Sequence, residues 1–135
     1  MPIKNYTTKI PAARTAAEIH QILATHGARK VMSEYGDDGE PISISFEICG
    51  SSYVLPVRVD AVQKVLSEQG IKADRHKAER VAWRNVKDWI DAQIALIETG
   101  QAELEEVMLP YMTDRSGKTL FEALPALYLG CGFDG

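Results

Sequence analysis

The chain has 135 residues, of which 45% are hydrophobic and 25% charged, and we expect a single globular domain over residues 1–135. The formal net charge of −4 argues against a protein that coats nucleic acid through bulk positive charge, although it leaves room for a local basic patch. Cys49 and Cys131 form no CxxC pair, which indicates reduced thiols in a cytoplasmic protein. No apolar run approaches the ~20 residues of a membrane span and no signal peptide is visible, so we expect no membrane contact.

The first elements predicted along the chain are a strand and a helix. Residues 3–10 contain Tyr6 and two threonines, which favour a strand, and Pro11 ends it. A capping box of Thr15 and Glu18 then predicts a helix start, and a glycine at position 27 predicts its end. The apolar stripe of this helix comprises Ala16, Ile19, Ile22, Leu23 and His26.

A three-stranded meander is predicted over residues 29–60. The first strand covers residues 30–35, and the glycine-rich and acidic residues 36–41 form a turn. Two further strands follow, because apolar and polar residues alternate with a period of two. Pro56 cannot donate to a strand ladder, so the third strand lies at an edge or carries a bulge. The predicted inward positions are Ile42, Ile44, Phe46, Ile48, Tyr53, Leu55, Val57 and Val59.

The C-terminal half is predicted to be helical. Asp60 is the expected cap of a short helix, and Asp74 is the expected cap of a long helix that ends near residues 99–100. Two short helices follow near residues 104–108 and 120–124. The fold class is therefore α+β, with a strand, a helix, a three-stranded antiparallel meander and a helical half whose long helix packs on the sheet. The predicted core face of that helix is Ala82, Val86, Trp89, Ile90, Gln93, Leu96 and Ile97, flanked by Trp83 and Ile94.

Motifs that suggest chemistry are better interpreted as local structure. Residues 116–119 (SGKT) resemble part of a phosphate-binding loop, but the required earlier glycine is absent, so we predict a turn. Residues 37–40 (DDGE) lack the ligand spacing of a calcium loop and are also predicted to form a turn. His20, His26 and His76 show no metal-ligand spacing, and His26 is expected to pack or to cap a helix. We therefore predict no catalytic residue, metal site, cofactor or enzymatic activity.

The strongest functional signal is a division of charge along the long helix. Residues 72–87 carry six basic and two acidic side chains, whereas residues 88–109 carry six acidic side chains and no Lys or Arg. The helix dipole favours the opposite order by about 0.3–1 kcal/mol per terminal charge. The order therefore needs another cause, such as a bound anion or a partner protein.

A basic stripe follows from the spacing of these cations. Lys77, Arg80, Arg84 and Lys87 fall within about 80° of one another on a helical wheel, and such a stripe can contact phosphates. His76 lies in the same cluster, and Trp83, which is nearer the basic edge than Trp89, is the more open to stacking on a base. The ligand-binding residues predicted are thus Lys77, Arg80, Arg84, Lys87, Trp83 and His76.

The same stripe is also compatible with two arrangements that involve no ligand. The first is a solvated helix face that is stabilised by Arg84–Asp88 and Lys87–Asp91 pairs. The second is a homodimer, in which the basic half of one long helix faces the acidic half of its mate.

Three segments carry a resemblance to a group of proteins. Residues 5–9 (NYTTK), 78–97 (AERVAWRNVKDWIDAQIALI) and 109–112 (LPYM) resemble small proteins of bacteriophages and prophages to which no activity is assigned. The resemblance implies an accessory binder in the host cytoplasm that handles nucleic acid or a signalling nucleotide, or that blocks a host defence factor. We expect a non-catalytic binder of a phosphate-bearing ligand; the alternatives are a protein-binding inhibitor and a structural homodimer.

Overall fold

The computed structural model describes residues 2–125, so predictions for Cys131 and for the tail from Leu127 lie outside the described residues. The α+β class is confirmed: a three-stranded antiparallel sheet is followed by helices, and the long helix packs on the sheet. In chain order the elements are α1 (Ala12–Thr25), β1 (Lys30–Tyr35), β2 (Pro41–Ile48), β3 (Ser51–Pro56), α2 (Val59–Glu68), α3 (Arg75–Glu98), α4 (Leu104–Met108), a 3₁₀ turn (Leu109–Tyr111) and α5 (Leu120–Ala123). Over residues 2–125, no helix has both the length and the apolar character needed to cross a bilayer.

The sheet has the order β1-β2-β3, and β2 supplies its buried face. Ile44, Phe46 and Ile48 are buried as predicted, because alternate residues of a strand point to one side. The Phe46 ring stacks on that of Tyr53, its partner on β3, with 5.2 Å between the ring centroids. β3 is an edge strand, as predicted, but it ends at Pro56, before the predicted strand positions Val57 and Val59. Ile42 is the exception to the pattern, since its side chain is exposed at the start of β2.

The long helix α3 begins where its cap predicts. The Asp74 carboxylate accepts a hydrogen bond of 2.8 Å from the backbone N–H of Lys77, which confirms the cap. The helix ends at Glu98, close to the predicted residues 99–100. It packs against α1 on one side and α2 on another. The residues of α3 that are buried are Ala78, Glu79, Val81, Ala82, Trp83, Ile90 and Ile94.

The predicted orientation of α3 is wrong for its two tryptophans. Trp83 is fully buried, and its indole N–H donates a 2.8 Å hydrogen bond to the carbonyl oxygen of Pro41. Trp89 is only half-buried and meets the Tyr111 ring edge-on. Leu96 is exposed. A helix that contacts neighbours on two sides buries a wider arc than one apolar stripe describes, and here that arc includes Trp83.

The predicted strand at residues 3–10 is also wrong. Residues 4–7 form a turn, in which Asn5 has a positive φ of 68°. The Asn5 amide donates hydrogen bonds of 2.7 Å to Asn85 and 2.9 Å to Asp88, and Lys4 lies 3.3 Å from the Asp88 carboxylate. The polar side chains of this segment thus bind α3, and this tertiary contact outweighs the strand propensity of Tyr6 and the threonines.

Two predicted helix caps are corrected as well. α1 begins at Ala12 directly after Pro11, so Thr15 lies inside the helix and is buried. Its partner in the predicted capping box, Glu18, instead binds α3. α2 begins at Val59, one residue before the predicted cap, and Asp60 in its first turn forms an ion pair with Arg75 of α3. Glu18 and Asp60 therefore serve contacts between helices.

Candidate functional site

The predicted basic stripe is split into a paired half and an unpaired half. Arg84 Nη1 lies 2.6 Å from Glu18 Oε1 of α1, and Lys87 Nζ lies 2.8 Å from Asp91 Oδ2. The Lys87–Asp91 pair confirms one prediction, whereas the predicted Arg84–Asp88 pair is wrong, since Glu18 is the partner of Arg84. Both cationic side chains are less than a fifth exposed, at 19% and 15%. Their charges are therefore neutralised within the chain and poorly placed for a ligand.

The unpaired half of the stripe forms a groove beside the first turns of α3, which we call the basic groove. Its volume is about 410 Å³. Within residues 2–125, its three cations Lys72, Lys77 and Arg80 make no ion pair. Arg80 is half-buried, and its Nε is buried without a hydrogen-bond partner among the described residues. The groove is lined by Lys72, Ala73, Asp74, Lys77 and Arg80.

Arg80 also lines a second cavity, which we call the acidic cavity. It has a volume of about 190 Å³, and its walls include Glu40 from the β1–β2 turn and both His76 and Glu79 from α3. One ligand atom from each of these three side chains lies within 4.8 Å of the other two. Lys9 and Arg80 also line this cavity. His76 therefore lies beside the carboxylates of Glu40 and Glu79, and it does not line the basic groove.

Glu79 is the unusual member of this cluster. Its side chain is 2% exposed, and its Oε1 atom has no hydrogen-bond partner within the described part of the chain. His76 Nδ1 approaches that oxygen to 3.2 Å without the alignment of a hydrogen bond. A buried carboxylate in this position is costly unless a proton or a cation neutralises it.

The pKa values of two carboxyls reflect this environment. Burial, the hydrogen bond with Asp38 and the nearby charges of Asp38 and Glu40 together raise the pKa of Glu79 to about 7, and His76 opposes this rise. The pKa of Asp38 is lowered, first by the backbone N–H of Glu40 and then by its hydrogen bond with Glu79. Of these two carboxyls, Glu79 is thus the one that takes up a proton first as the pH falls.

The shape of the β1–β2 turn places Glu40 over α3. Gly39 has a positive φ of 80°, which a residue with a side chain rarely adopts. The N–H of Gly36 donates to the carbonyl of Glu40, and the Glu40 N–H donates to Asp38 Oδ1 at 3.0 Å. The predicted turn at residues 37–40 is thereby confirmed, but it is not simply solvated, because it covers Glu79.

The acidic cavity was not predicted from the sequence. The spacing of His76 and Glu79 at i and i+3 places both on one helix face, and this signal was present in the sequence. Glu40 lies 36 positions before His76 in the chain, so only the tertiary structure brings it to that face. Spacing rules based on His–His and His–Cys pairs also pass over a site built from carboxylates and a single histidine.

The remaining predicted motifs have structural roles. Residues 116–117 form the predicted turn, and Thr119 caps α5 in a box with Glu122, so residues 116–119 are a turn and a helix cap. His26 Nδ1 lies 2.8 Å from the carbonyl of Ile22 and its Nε2 3.1 Å from Glu98, which confirms the capping role. Trp83, fully buried, cannot stack on a ligand, so its prediction as a ligand-binding residue is wrong.

No family model matches this chain, and no curated protein or solved structure matches it. The resemblance to small phage proteins therefore stays a prediction, and the functional proposals rest on the basic groove and the acidic cavity.

Proposed function

We propose that the protein is a non-catalytic binder of a phosphate-bearing ligand, either nucleic acid or a nucleotide, and that the basic groove is its binding site. The observation that supports this function is the group of three unpaired cations, Lys72, Lys77 and Arg80, along one groove. Arg84 and Lys87 of the predicted stripe are neutralised by Glu18 and Asp91 and are not part of the proposed site.

The chemistry of the groove favours phosphate oxygens. A guanidinium group offers paired N–H donors that match two oxygens of a phosphate, and the lysines add charge without fixed geometry. Arg80 also has an unsatisfied Nε, which a ligand oxygen can satisfy. Asp74 already takes the N–H of Lys77 at the helix start. The ligand is therefore held by side chains rather than by the helix end.

A double substitution tests the groove. Lys77→Glu with Arg80→Glu is expected to weaken binding at least about tenfold, because two attractions become repulsions. Fluorescence anisotropy with labelled single-stranded and duplex DNA, and calorimetry with ATP and a cyclic dinucleotide, measure the effect and separate the two ligand classes. Circular dichroism checks the fold.

The matched control is Lys64→Glu with Arg115→Glu, which changes the net charge equally at two exposed positions outside the groove. This control is expected to retain binding. Equal losses in the two double variants would show that only net charge matters, and full binding by the groove variant would remove the groove from the proposal.

A second candidate function is association with a protein, either a host factor or another copy of the chain. It is favoured by β1, an edge strand on which Met32 and Tyr35 are 62% and 64% exposed. The predicted homodimer through the long helix stays a prediction. Its electrostatic motivation is weaker, because Asp88 and Asp91 are paired with Lys4 and Lys87 within the chain.

Sedimentation at low and high salt separates the two modes of association. A dimer formed through the charges of α3 is expected to weaken at high salt, where the screening length falls from ~10 Å at 0.1 M to ~3 Å at 1 M. An association through β1, Met32 and Tyr35 is expected to persist or strengthen. A monomer at both salt concentrations and micromolar protein would contradict both modes.

The biological setting of either function is also a proposal. The resemblance to phage proteins supports a place in the host cytoplasm and a role in nucleic-acid handling or in countering host defence. Detection of a co-purified nucleotide or nucleic acid by mass spectrometry is the most direct support for the first candidate.

A further inference from the structure

The acidic cavity brings together three side chains that commonly bind metals. Glu40 enters from the β1–β2 turn, and His76 and Glu79 enter from successive turns of α3. We propose that Glu40, His76 and Glu79 form a binding site for a divalent transition-metal ion. This site is separate from the basic groove and does not depend on the proposed function, since the metal ion alone is its ligand.

The distances in the cavity suit a metal ion once the flexible side chains move inward. Nitrogen and oxygen ligands lie about 2.0–2.2 Å from such an ion, so neighbouring ligands in a tetrahedral site are about 3.4 Å apart. The ligand atoms of the three residues already lie within 4.8 Å of one another. His76 is exposed and Glu40 half-exposed, so both side chains have room to close the difference, whereas Glu79 is fixed by its burial.

An independent observation also points to a bound cation. Oε1 of Glu79 is buried, has no hydrogen-bond partner among residues 2–125, and lies 3.2 Å from His76 Nδ1. Native proteins rarely leave a buried polar atom unsatisfied, and such an atom in a cluster of ligands often marks a missing ion.

The donor set selects the class of ion. An imidazole nitrogen suits zinc, copper, iron or nickel, whereas carboxylates suit the harder manganese, calcium and magnesium ions, so one imidazole with two carboxylates fits zinc or manganese. The carboxylates of Glu40 and Glu79 on the cavity wall attract a divalent ion, and the opposing charges of Arg80 and Lys9 on the same wall limit the site to a single ion. We therefore expect one Zn²⁺ or Mn²⁺ per chain.

Titration with metal alone tests the site. Chelator-treated protein is titrated with ZnCl₂ or MnCl₂ in a calorimeter at pH 8, and one ion per chain is expected to bind and to raise the melting temperature. Glu79→Gln and His76→Ala are each expected to weaken binding at least about tenfold, because each removes one ligand. Glu79→Gln removes a buried charge and is expected to fold.

The matched control is His20→Ala, since His20 bonds to Ser33 on β1 and does not line the cavity. This variant is expected to bind the ion as the unaltered protein does. The proposal is overturned if neither ion binds at millimolar concentration, if Glu79→Gln binds unchanged, or if His20→Ala loses affinity as strongly as His76→Ala. Binding of Ca²⁺ or Mg²⁺ in preference to both ions would overturn the assigned metal class.

Discussion

Replacing Trp83 with alanine is expected to lower the free energy of unfolding by about 3–5 kcal/mol, the usual loss for a large aromatic side chain removed from a core. Trp83 is fully buried and also donates its indole N–H to the Pro41 carbonyl at 2.8 Å. The substitution thus opens a cavity and leaves a buried acceptor unsatisfied. Urea denaturation followed by circular dichroism measures the change.

Trp89→Ala is the matched comparison on the same helix, because Trp89 is half-buried and loses mainly its contact with Tyr111. We expect a loss of about 1–2 kcal/mol there. Trp83→Phe tests the hydrogen bond separately, since it preserves most of the packing. Its loss of unfolding free energy is expected to lie between those of Trp83→Ala and Trp89→Ala. A loss for Trp89→Ala as large as that for Trp83→Ala would show that the orientation of α3 is wrong.

Replacing Glu79 with glutamine is expected to stabilise the metal-free protein at pH 8. The folded pKa of Glu79 is about 7, against an ordinary value of 4.5. A raised folded pKa contributes stability that is fully present below pH 4.5 and is lost as the pH rises to about 7. For this side chain, which is 2% exposed, the rise corresponds to a loss of ~3 kcal/mol above pH 7.

The measurement compares urea denaturation of the two proteins at pH 5 and pH 8 in the presence of EDTA. The glutamine variant is expected to gain up to ~3 kcal/mol over the unaltered protein at pH 8, and much less at pH 5. Glu68→Gln at an exposed position of α2 controls for the change of side chain and is expected to alter stability by less than about 0.5 kcal/mol. A gain that is the same at both pH values would contradict the assigned cause.

The sequence predicts those parts of the fold that depend on local pattern. The alternation through Ile44, Phe46 and Ile48 specifies β2, and the carboxylate of Asp74 specifies the start of α3, because both signals act over a few residues. Local sequence signals give wrong predictions where the same side chain is used for a contact with a distant part of the chain. Thr15 and Asp60 have the chemistry of caps, but they lie inside helices and are used for contacts or for burial.

The residues of the candidate site are also predicted only as far as local pattern reaches. The sequence correctly places Lys77 and Arg80 on one helix face, but it does not show that Glu18 neutralises Arg84, since that partner comes from another helix. The acidic cavity could not be predicted from the sequence. It forms only because the turn that carries Glu40 lies next to Glu79, and neither the helical nor the strand pattern of apolar residues predicts that contact.

The ion pairs of α3 affect the position that this helix takes along its neighbours. Arg75 binds Asp60 of α2, Arg84 binds Glu18 of α1, and Asp88 binds Lys4 near the N-terminus. Each exposed pair contributes only about 0–1 kcal/mol to stability. However, sliding α3 along its neighbours by one turn, ~5.4 Å, would separate all of them together. In the direction that moves Asp88 toward Glu18 and Glu79 toward Asp60, it would also bring like charges together, so these charges disfavour that misregistered packing more than they stabilise the native one.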